Sequence, residues 1–252
     1  MSMTVEYQCL QQKVVFITGG ATGIGAAMVK AFLQQGAQVA FVDINEEAAA
    51  TLCQAYQHDK LWFRRVDVTQ LEQLQQAIAD AAQHFGKLSV LINNVANDKR
   101  QSSQNVTVAE WRNGMQVNLD AAFFAAQAAY AVMQQQQTGA IINFSSINAL
   151  IGQPNMAGYV TAKAGLIGMT KALARDFGAA GIRVNAILPG WVTTDRQLAS
   201  WFTAEEQQRW LDAVALKQFI TPADVANLAL FLASEQSAMI TGQAINIDAG
   251  RS

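Results

Sequence analysis

The sequence predicts an α/β fold, a doubly wound parallel sheet of seven strands with helices on both faces. Three observations predict it. Short apolar runs alternate with longer stretches of helical period along the whole chain, the pattern of strands joined by crossover helices. The first run leads straight into a glycine-rich turn, TGGATGIG, and then into a helix-period stretch. No Pro- or Ser-rich linker interrupts the alternation, and only three prolines occur in 252 residues, so residues 1–252 read as a single domain.

The seven candidate strands are VVFIT (14–18), QVAFV (38–42), LWFRRV (61–66), LSVLIN (88–93), AIINF (140–144), IRVNAIL (182–188) and AINI (244–247). Amphipathic stretches such as GAAMVKAFLQQG and TQLEQLQQAIADAAQHFG lie between them, and Gly36, Gly86 and Gly181 stand where helix C-terminal caps belong. The glutamines 134–137 read as a helix end and loop that add only solubility. Trp191–Gln218 breaks the alternation. It follows Pro189-Gly190, carries Trp191, Trp201 and Trp210, and lies after a strand's carboxyl end, on the ligand side of such a sheet. We expect a substrate-covering lid over about 191–218, the alternative being an extra pair of surface helices.

Composition narrows the class. A chain of this size buries roughly three quarters of the surface its unfolded form exposes, so it needs no staple. Cys9 and Cys53 form no C-x-x-C pair and read as reduced thiols, and no His, Cys and carboxylate cluster offers a metal site. A net charge of −2 with scattered basic residues excludes a nucleic-acid stripe. The opening MSMTVEYQCLQQK has no basic start and no apolar core of signal-peptide length, and no apolar run approaches the ~20 residues that span a bilayer. A cytoplasmic protein with a small-molecule substrate, and no membrane or nucleic-acid partner, is expected.

Glycines between a strand and a helix let the backbone approach a pyrophosphate, whose charge sits on the helix's positive end. In that context TGGATGIG is a dinucleotide fingerprint, and the fold is Rossmann-type. Contacts are expected from Gly19, Thr22, Gly23, Ile24 and Gly25. Asp43, at the end of the second strand, can accept from the adenosine ribose hydroxyls and would repel a 2′-phosphate. No Arg or Lys lies in the glycine turn or just after Asp43, so the expected cofactor is NAD. Asp43 could also cap the next helix. Asp67 is placed to accept from the adenine amine, with Val68 packing on the ring; capping is its alternative, although Thr69 can do that.

Tyr159 and Lys163 stand four apart in GYVTAKAG, on one face of a predicted helix. A phenol with a pKa near ~10 is a poor base at neutral pH. An adjacent ammonium, with the positive nicotinamide ring, would favour the phenolate. Asn118 lies on the apolar helix MQVNLDAAFF, where a buried amide must be bonded.

With these motifs together, the sequence resembles the short-chain dehydrogenase/reductase family from Lys13 to Gly250. The matching segments are TGGATGIG, Asp67-Val68, NNVA at 93–96, Asn118, INFSS at 142–146, YVTAK and Pro189-Gly190. The resemblance implies that Ser146, thirteen residues before Tyr159, holds the substrate oxygen while Ser145 is structural. It implies that Tyr159 exchanges the hydroxyl proton and that Lys163 binds the nicotinamide ribose. It implies that Asn118 steadies a water linking the lysine to solvent, and that Asn93 and Asn94 lie against cofactor and sheet. PGWVTT implies that Thr194 meets the nicotinamide carboxamide, oriented by the Val192 backbone beside Pro189 and Gly190, with Ile24 packed on the ring. It also implies a homotetramer, to which the helix continuing as LIGMTKALARDFG would contribute, although that helix could equally be buried within one subunit.

Polar groups crowd the expected substrate loops: Asn97 in ANDKRQ, then Asn148, Gln153, Asn155, Arg196 and Gln197. Such a set suits a polyhydroxylated ligand, with Trp191 or Trp201 stacking on a sugar ring. Within the family, the segments resemble bacterial aldose 1-dehydrogenases of the xylose and galactose type, which implies oxidation of the anomeric hydroxyl to a lactone. A general secondary-alcohol dehydrogenase or ketone reductase is the rival reading. A 3-oxoacyl thioester reductase is disfavoured by the missing basic residue. A catalytically inactive nucleotide-binding regulatory protein is disfavoured by the intact Ser146, Tyr159 and Lys163.

Overall fold

The computed structural model describes residues 5–56, 59–201 and 203–252, with backbone alone at 200 and 201. Seven strands form one sheet: β1 Val14–Thr18, β2 Gln38–Asp43, β3 Leu61–Arg65, β4 Val90–Asn93, β5 Gly139–Phe144, β6 Ile182–Pro189 and β7 Ala244–Ile247. Ten α-helices are described: α1 Gly23–Gln34, α2 Glu46–Ala55, α3 Leu71–Phe85, α4 Val108–Met115, α5 Ala121–Gln136, α6 Asn148–Ile151, α7 Ala157–Gly178, α8 Asp195–Trp201, α9 Ala204–Ala213 and α10 Pro222–Ala233. A π-helical turn, Gln116–Asp120, joins α4 to α5. None of the described helices is long and apolar enough to cross a membrane.

The strand order is β3-β2-β1-β4-β5-β6-β7, and every pairing is parallel. All five residues of β1 are buried, because helices cover both faces of the sheet. Val15 and Ile17 pack in one core with Met28 and Phe32 of α1 and Val225 and Ala229 of α10. Val14 and Phe16, pointing the opposite way, join Leu74 and Ile78 of α3 and Ala125 and Ala129 of α5 in the other. The chain winds outward from β1 in one direction and from β4 in the other. The crevice therefore opens at the carboxyl ends of these two neighbouring strands.

Helix ends follow local chemistry. Gly36 and Gly86 take φ +78° just past α1 and α3, and Gly181 takes +71° after α7. Asn45, rather than Asp43, caps α2 by accepting from Ala48 N at 3.0 Å, so the capping alternative for Asp43 fails. Gln70 stands at the N-cap of α3 without a side-chain bond; neither Asp67 nor Thr69 serves there. The glutamine run does more than solubilise: Gln136 Nε2 donates to Leu88 O at 3.0 Å and ties the end of α5 to the approach to β4.

The insertion is a helix pair, α8 and α9, and Trp191 and Trp210 both line the cleft on the ligand side of the sheet. Trp210 is 8% exposed, packs in the sheet's core and donates to Gln218 O at 3.1 Å. Trp191 meets Trp210 and Phe219 edge-on. These two rings anchor the insertion, and the side chain of Trp201 lies outside the described residues. Gly190 makes the anchor possible, since a Cβ there would lie 2.7 Å from Trp210 Cη2 and 3.0 Å from Asp248 Cα. Gly190→Ala should therefore destabilise the fold by about 1–3 kcal/mol. Calorimetry would then record a lower melting temperature; an unchanged one would contradict this packing.

Candidate active site

A cleft of ≈550 Å³ opens at the carboxyl ends of β4, β5 and β6 and under α8 and α9. Ile24, Asn94, Ser146, Asn148, Tyr159, Lys163, Pro189, Gly190, Trp191, Val192, Thr194 and Arg196 all line it. Residues far apart in sequence are thus brought to one surface. Asn97 does not line the cleft. Its side chain instead accepts from Lys99 N at 3.1 Å, and its neighbours Asp98 and Arg100 face inward. Asp98 was not singled out in the sequence, because loop polarity does not tell which of several polar side chains turns in.

Helix α7 positions the central pair. Tyr159 lies in its first turn and Lys163 one turn later, with the ammonium nitrogen 5.7 Å from the tyrosine ring centroid. Lys163 is 1% exposed and donates to Phe144 O at 2.6 Å. Ser145 donates to Lys163 O at 2.7 Å, so adjacent residues of the β5 end hold both the head and the main chain of this lysine. Ser146 bonds with Tyr159 and accepts from Asn148 N at 3.1 Å.

The electrostatics of the chain without a nucleotide are set by burial. In the chain by itself Lys163 does not make Tyr159 acidic. Burial pushes the Tyr159 phenol up to about 12, with Ser146 pulling down, Asp98 pushing up and Arg196 pulling down as smaller effects. Burial also brings Lys163 down to about 7, against the smaller opposing influence of Asp98. Desolvation penalises both charged forms, and it outweighs their helical spacing.

Asn118 is the bonded, buried amide that its apolar helix calls for. It is 2% exposed, inside the π turn, and its amide closes on the Asn97 main chain: Asn97 N donates to Asn118 Oδ1 at 2.8 Å, and Asn118 Nδ2 donates to Asn97 O at 3.0 Å. The same Nδ2 donates to Gly114 O at 2.9 Å. Its side chain is therefore a clamp on the β4 loop. Beside it lies a small space of ≈10 Å³ lined by Lys163, Asn93, Asn118 and Thr18 among others. Asn93 lines that space, and its Oδ1 is a buried acceptor with no hydrogen-bond donor among the described residues. Asn93 Nδ2 donates to Ala122 O and to Asn143 Oδ1, and Asn143 reaches Thr170 of α7.

The residues around the glycine turn fit a dinucleotide. A Cβ at Gly25 would lie 1.8 Å from Gly19 O, so only glycine permits α1 to start this close to the strand. Asn94 Nδ2 braces the turn by donating to Thr18 O and Gly19 O at 3.0 and 3.1 Å. Asp43 Oδ2 accepts from Ala21 N at 2.9 Å, which holds a carboxylate against the turn. Thr194 faces Gly23, with its methyl 3.2 Å from where a Cβ on that glycine would be. Asp67 stands exposed at the next strand end, its Oδ1 accepting from Thr69 N and Oγ1, while Val68 is buried beside it. Thr22 is the N-cap residue of α1 and makes no side-chain cap bond. No group of three metal-ligating side chains occurs among the described residues.

Comparison with known proteins agrees with this geometry. A family model described as enoyl-(acyl carrier protein) reductase matches residues 19–252. The chain belongs to the short-chain dehydrogenase/reductase family. It is 43% identical over 248 residues to a protein named "Probable galactose dehydrogenase" of Rhizobium meliloti, covering 97% of each chain. It is 40% identical over 246 residues to a D-xylose 1-dehydrogenase of Caulobacter vibrioides, again over 97% of each. A 3-oxoacyl-[acyl-carrier-protein] reductase of Chlamydia muridarum is 35% identical, over 96% of this chain and 98% of its own. Among solved structures, a putative short-chain alcohol dehydrogenase from Sinorhizobium meliloti superposes with a TM-score of 0.91 at 33% identity, covering 97% of this chain and 98% of that one. The chain is thus an oxidoreductase of this family.

The raised phenol gives a direct check. Without nucleotide, the difference in phenolate absorbance between the wild type and Tyr159→Phe should emerge only above about pH 10, given a phenol at about 12. A Tyr159-dependent phenolate at neutral pH would contradict the dominance of burial.

Proposed function

We propose that this short-chain dehydrogenase/reductase uses NAD to oxidise an aldose at C1 to its lactone. The observation that carries the reaction type is the meeting of Ser146, Tyr159 and Lys163 in one cleft beside the glycine turn. Gly19, Thr22, Gly23 and Gly25 would hold the pyrophosphate, Asp43 the adenosine ribose, and Asp67 with Val68 the adenine. Lys163 and Tyr159 would reach the second ribose, with Ile24, Asn94, Pro189, Gly190, Val192 and Thr194 around the nicotinamide. When bound, NAD supplies the hydride acceptor.

Ser146 holds the substrate oxygen, and Tyr159 receives its proton. The phenol is poorly acidic in the chain alone, so it must gain acidity in the closed site, where Lys163 and the added positive charge act on it in a medium of low dielectric. The proposed water link behind Lys163 draws support from the unmatched acceptor Asn93 Oδ1 and from a space, lined by Asn93 and Lys163, that suits about one water. Asn118 then acts by shaping that space and clamping Asn97.

The sugar assignment draws on the two aldose-named relatives and on the polar cleft groups Asn148, Gln153 and Gln197. Trp191 is available as an aromatic wall and Arg196 at the mouth. Ile151 and Met156 give the same cleft an apolar side, which favours a secondary alcohol or ketone as the second reading. We further propose a cytoplasmic homotetramer, for which the exposed Trp111 and Phe123 on α4 and α5 are available contact surface.

Two measurements check this. Initial rates with NAD should exceed those with NADP by at least about tenfold, and Asp43→Ala should narrow that gap, since the carboxylate repels the 2′-phosphate. Equal efficiencies in the wild type would end the NAD assignment. In a screen of xylose, arabinose, galactose and glucose beside cyclohexanol and a steroid alcohol, sugars should turn over and Tyr159→Phe should lose about 10²–10⁴-fold in kcat/KM. Turnover of the apolar alcohols alone would defeat the sugar reading.

A further inference from the structure

The loop after β4 meets the insertion at one carboxylate. Asp98 Oδ1 accepts from Arg196 Nη2 at 2.7 Å, and Asp98 Oδ2 accepts from Gln197 Nε2 at 3.2 Å. Both donors belong to α8, so the two oxygens of Asp98 are engaged by a single short helix. Gln197 Oε1 in turn accepts from Trp191 Nε1 at 3.1 Å, and Trp191 is seated against the buried Trp210. On its other side Asp98 is carried by a fixed backbone, because Asn118 clamps the N–H and carbonyl of Asn97. A continuous run of bonds therefore joins the buried π turn to the helix that covers the cleft.

An ion pair this exposed, with side chains 65% and 31% accessible, adds little to folding stability. Its place in the cleft is what distinguishes it. Asp98 and Arg196 line the same cleft as Tyr159 and Lys163. Their charges act on the tyrosine in opposite senses: Asp98 disfavours the phenolate, and Arg196 favours it. The other charged groups around Tyr159 are Lys163 one turn along α7, Arg100 from the β4 loop, Arg251 near the C-terminus, and Glu206 with Arg209 on α9. The last two pair with each other at 2.8 Å.

We propose that Asp98 and Arg196 are paired positioning residues: their bond holds α8 over the substrate cleft and offsets, in the cleft that Tyr159 lines, a carboxylate that would otherwise oppose the base. This rests on the reading of Tyr159 as the base. The two functions come from one contact. While α8 is closed, Arg196 offsets Asp98, and the carboxylate no longer adds to burial in opposing the phenolate. With α8 displaced, Asp98 stands uncompensated and the base is weakened. Proton removal is thereby coupled to closure.

The test is the pH dependence of kcat/KM for oxidation at saturating NAD, with whichever alcohol or sugar the screen identifies. Activity rises as the base ionises, so the midpoint follows the tyrosine. Asp98→Asn should move the midpoint down by roughly 0.3–1 pH unit, and Arg196→Gln should move it up by a similar amount. The double variant should return near the wild type. Amide exchange across 195–201 should quicken in both single variants. A contact that merely supports structure would lower kcat/KM without moving the midpoint. That result, or shifts in the same direction, would overturn the proposal while Tyr159→Phe still abolished turnover. Wild-type turnover in Tyr159→Phe would overturn the base reading and this proposal together.

Discussion

Lys163 puts an amine head into the protein interior with the Phe144 carbonyl at 2.6 Å and no ion pair among the described residues. Burying a cation in this way costs several kcal/mol unless its surroundings repay it. The surrounding architecture is arranged around that head. Ser145 fixes the lysine's main chain to the end of β5, Asn93 and Asn143 brace β4 and β5 against Thr170, and α7 is thereby held in register with the sheet. Tyr159 inherits its position from the same helix.

The cost has a counterpart in the cleft. Desolvation depresses the basicity of Lys163 and raises the phenol of Tyr159, so the isolated chain keeps the phenol protonated and the lysine less firmly charged than an exposed one. A site in that state gains from a ligand that brings hydroxyl acceptors to the lysine and positive charge near the tyrosine. The doubly wound order supplies the place for it, since the crevice between β1 and β4 ends where Lys163 lines the cleft. Fold and chemistry are joined at this point: the sheet's topology decides where a nucleotide can lie, and the buried lysine decides what its arrival changes.

The strands were legible because helices cover the sheet on both sides, which makes each strand a continuous apolar run such as VVFIT. The glycine turn was legible because steric contact, as between Gly25 and Gly19 O, leaves no other residue type. The Tyr159–Lys163 pair was legible from helical spacing only together with the dinucleotide fingerprint before it, since a tyrosine and a lysine four apart are common in helices. The protonation of that pair was not, because burial is a tertiary property and reverses what proximity suggests. Asn118 could be recognised as a bonded buried amide, but its partner, the Asn97 backbone, lies 21 residues away and is brought near by the π turn. Asp98 was missed for a similar reason: its partners Arg196 and Gln197 are 98 and 99 residues distant. The sequence placed Trp210 in the insertion but not in the core, where the missing side chain of Gly190 opens a slot for it.

The central claim is that nucleotide binding, rather than the chain alone, brings Tyr159 to ionise. Calorimetric titration of NAD into the wild type and Tyr159→Phe, in two buffers of different ionisation enthalpy near pH 9, counts the protons exchanged. The account predicts a fractional proton release in the wild type that the phenylalanine variant lacks. Equal proton counts for the two chains would contradict it.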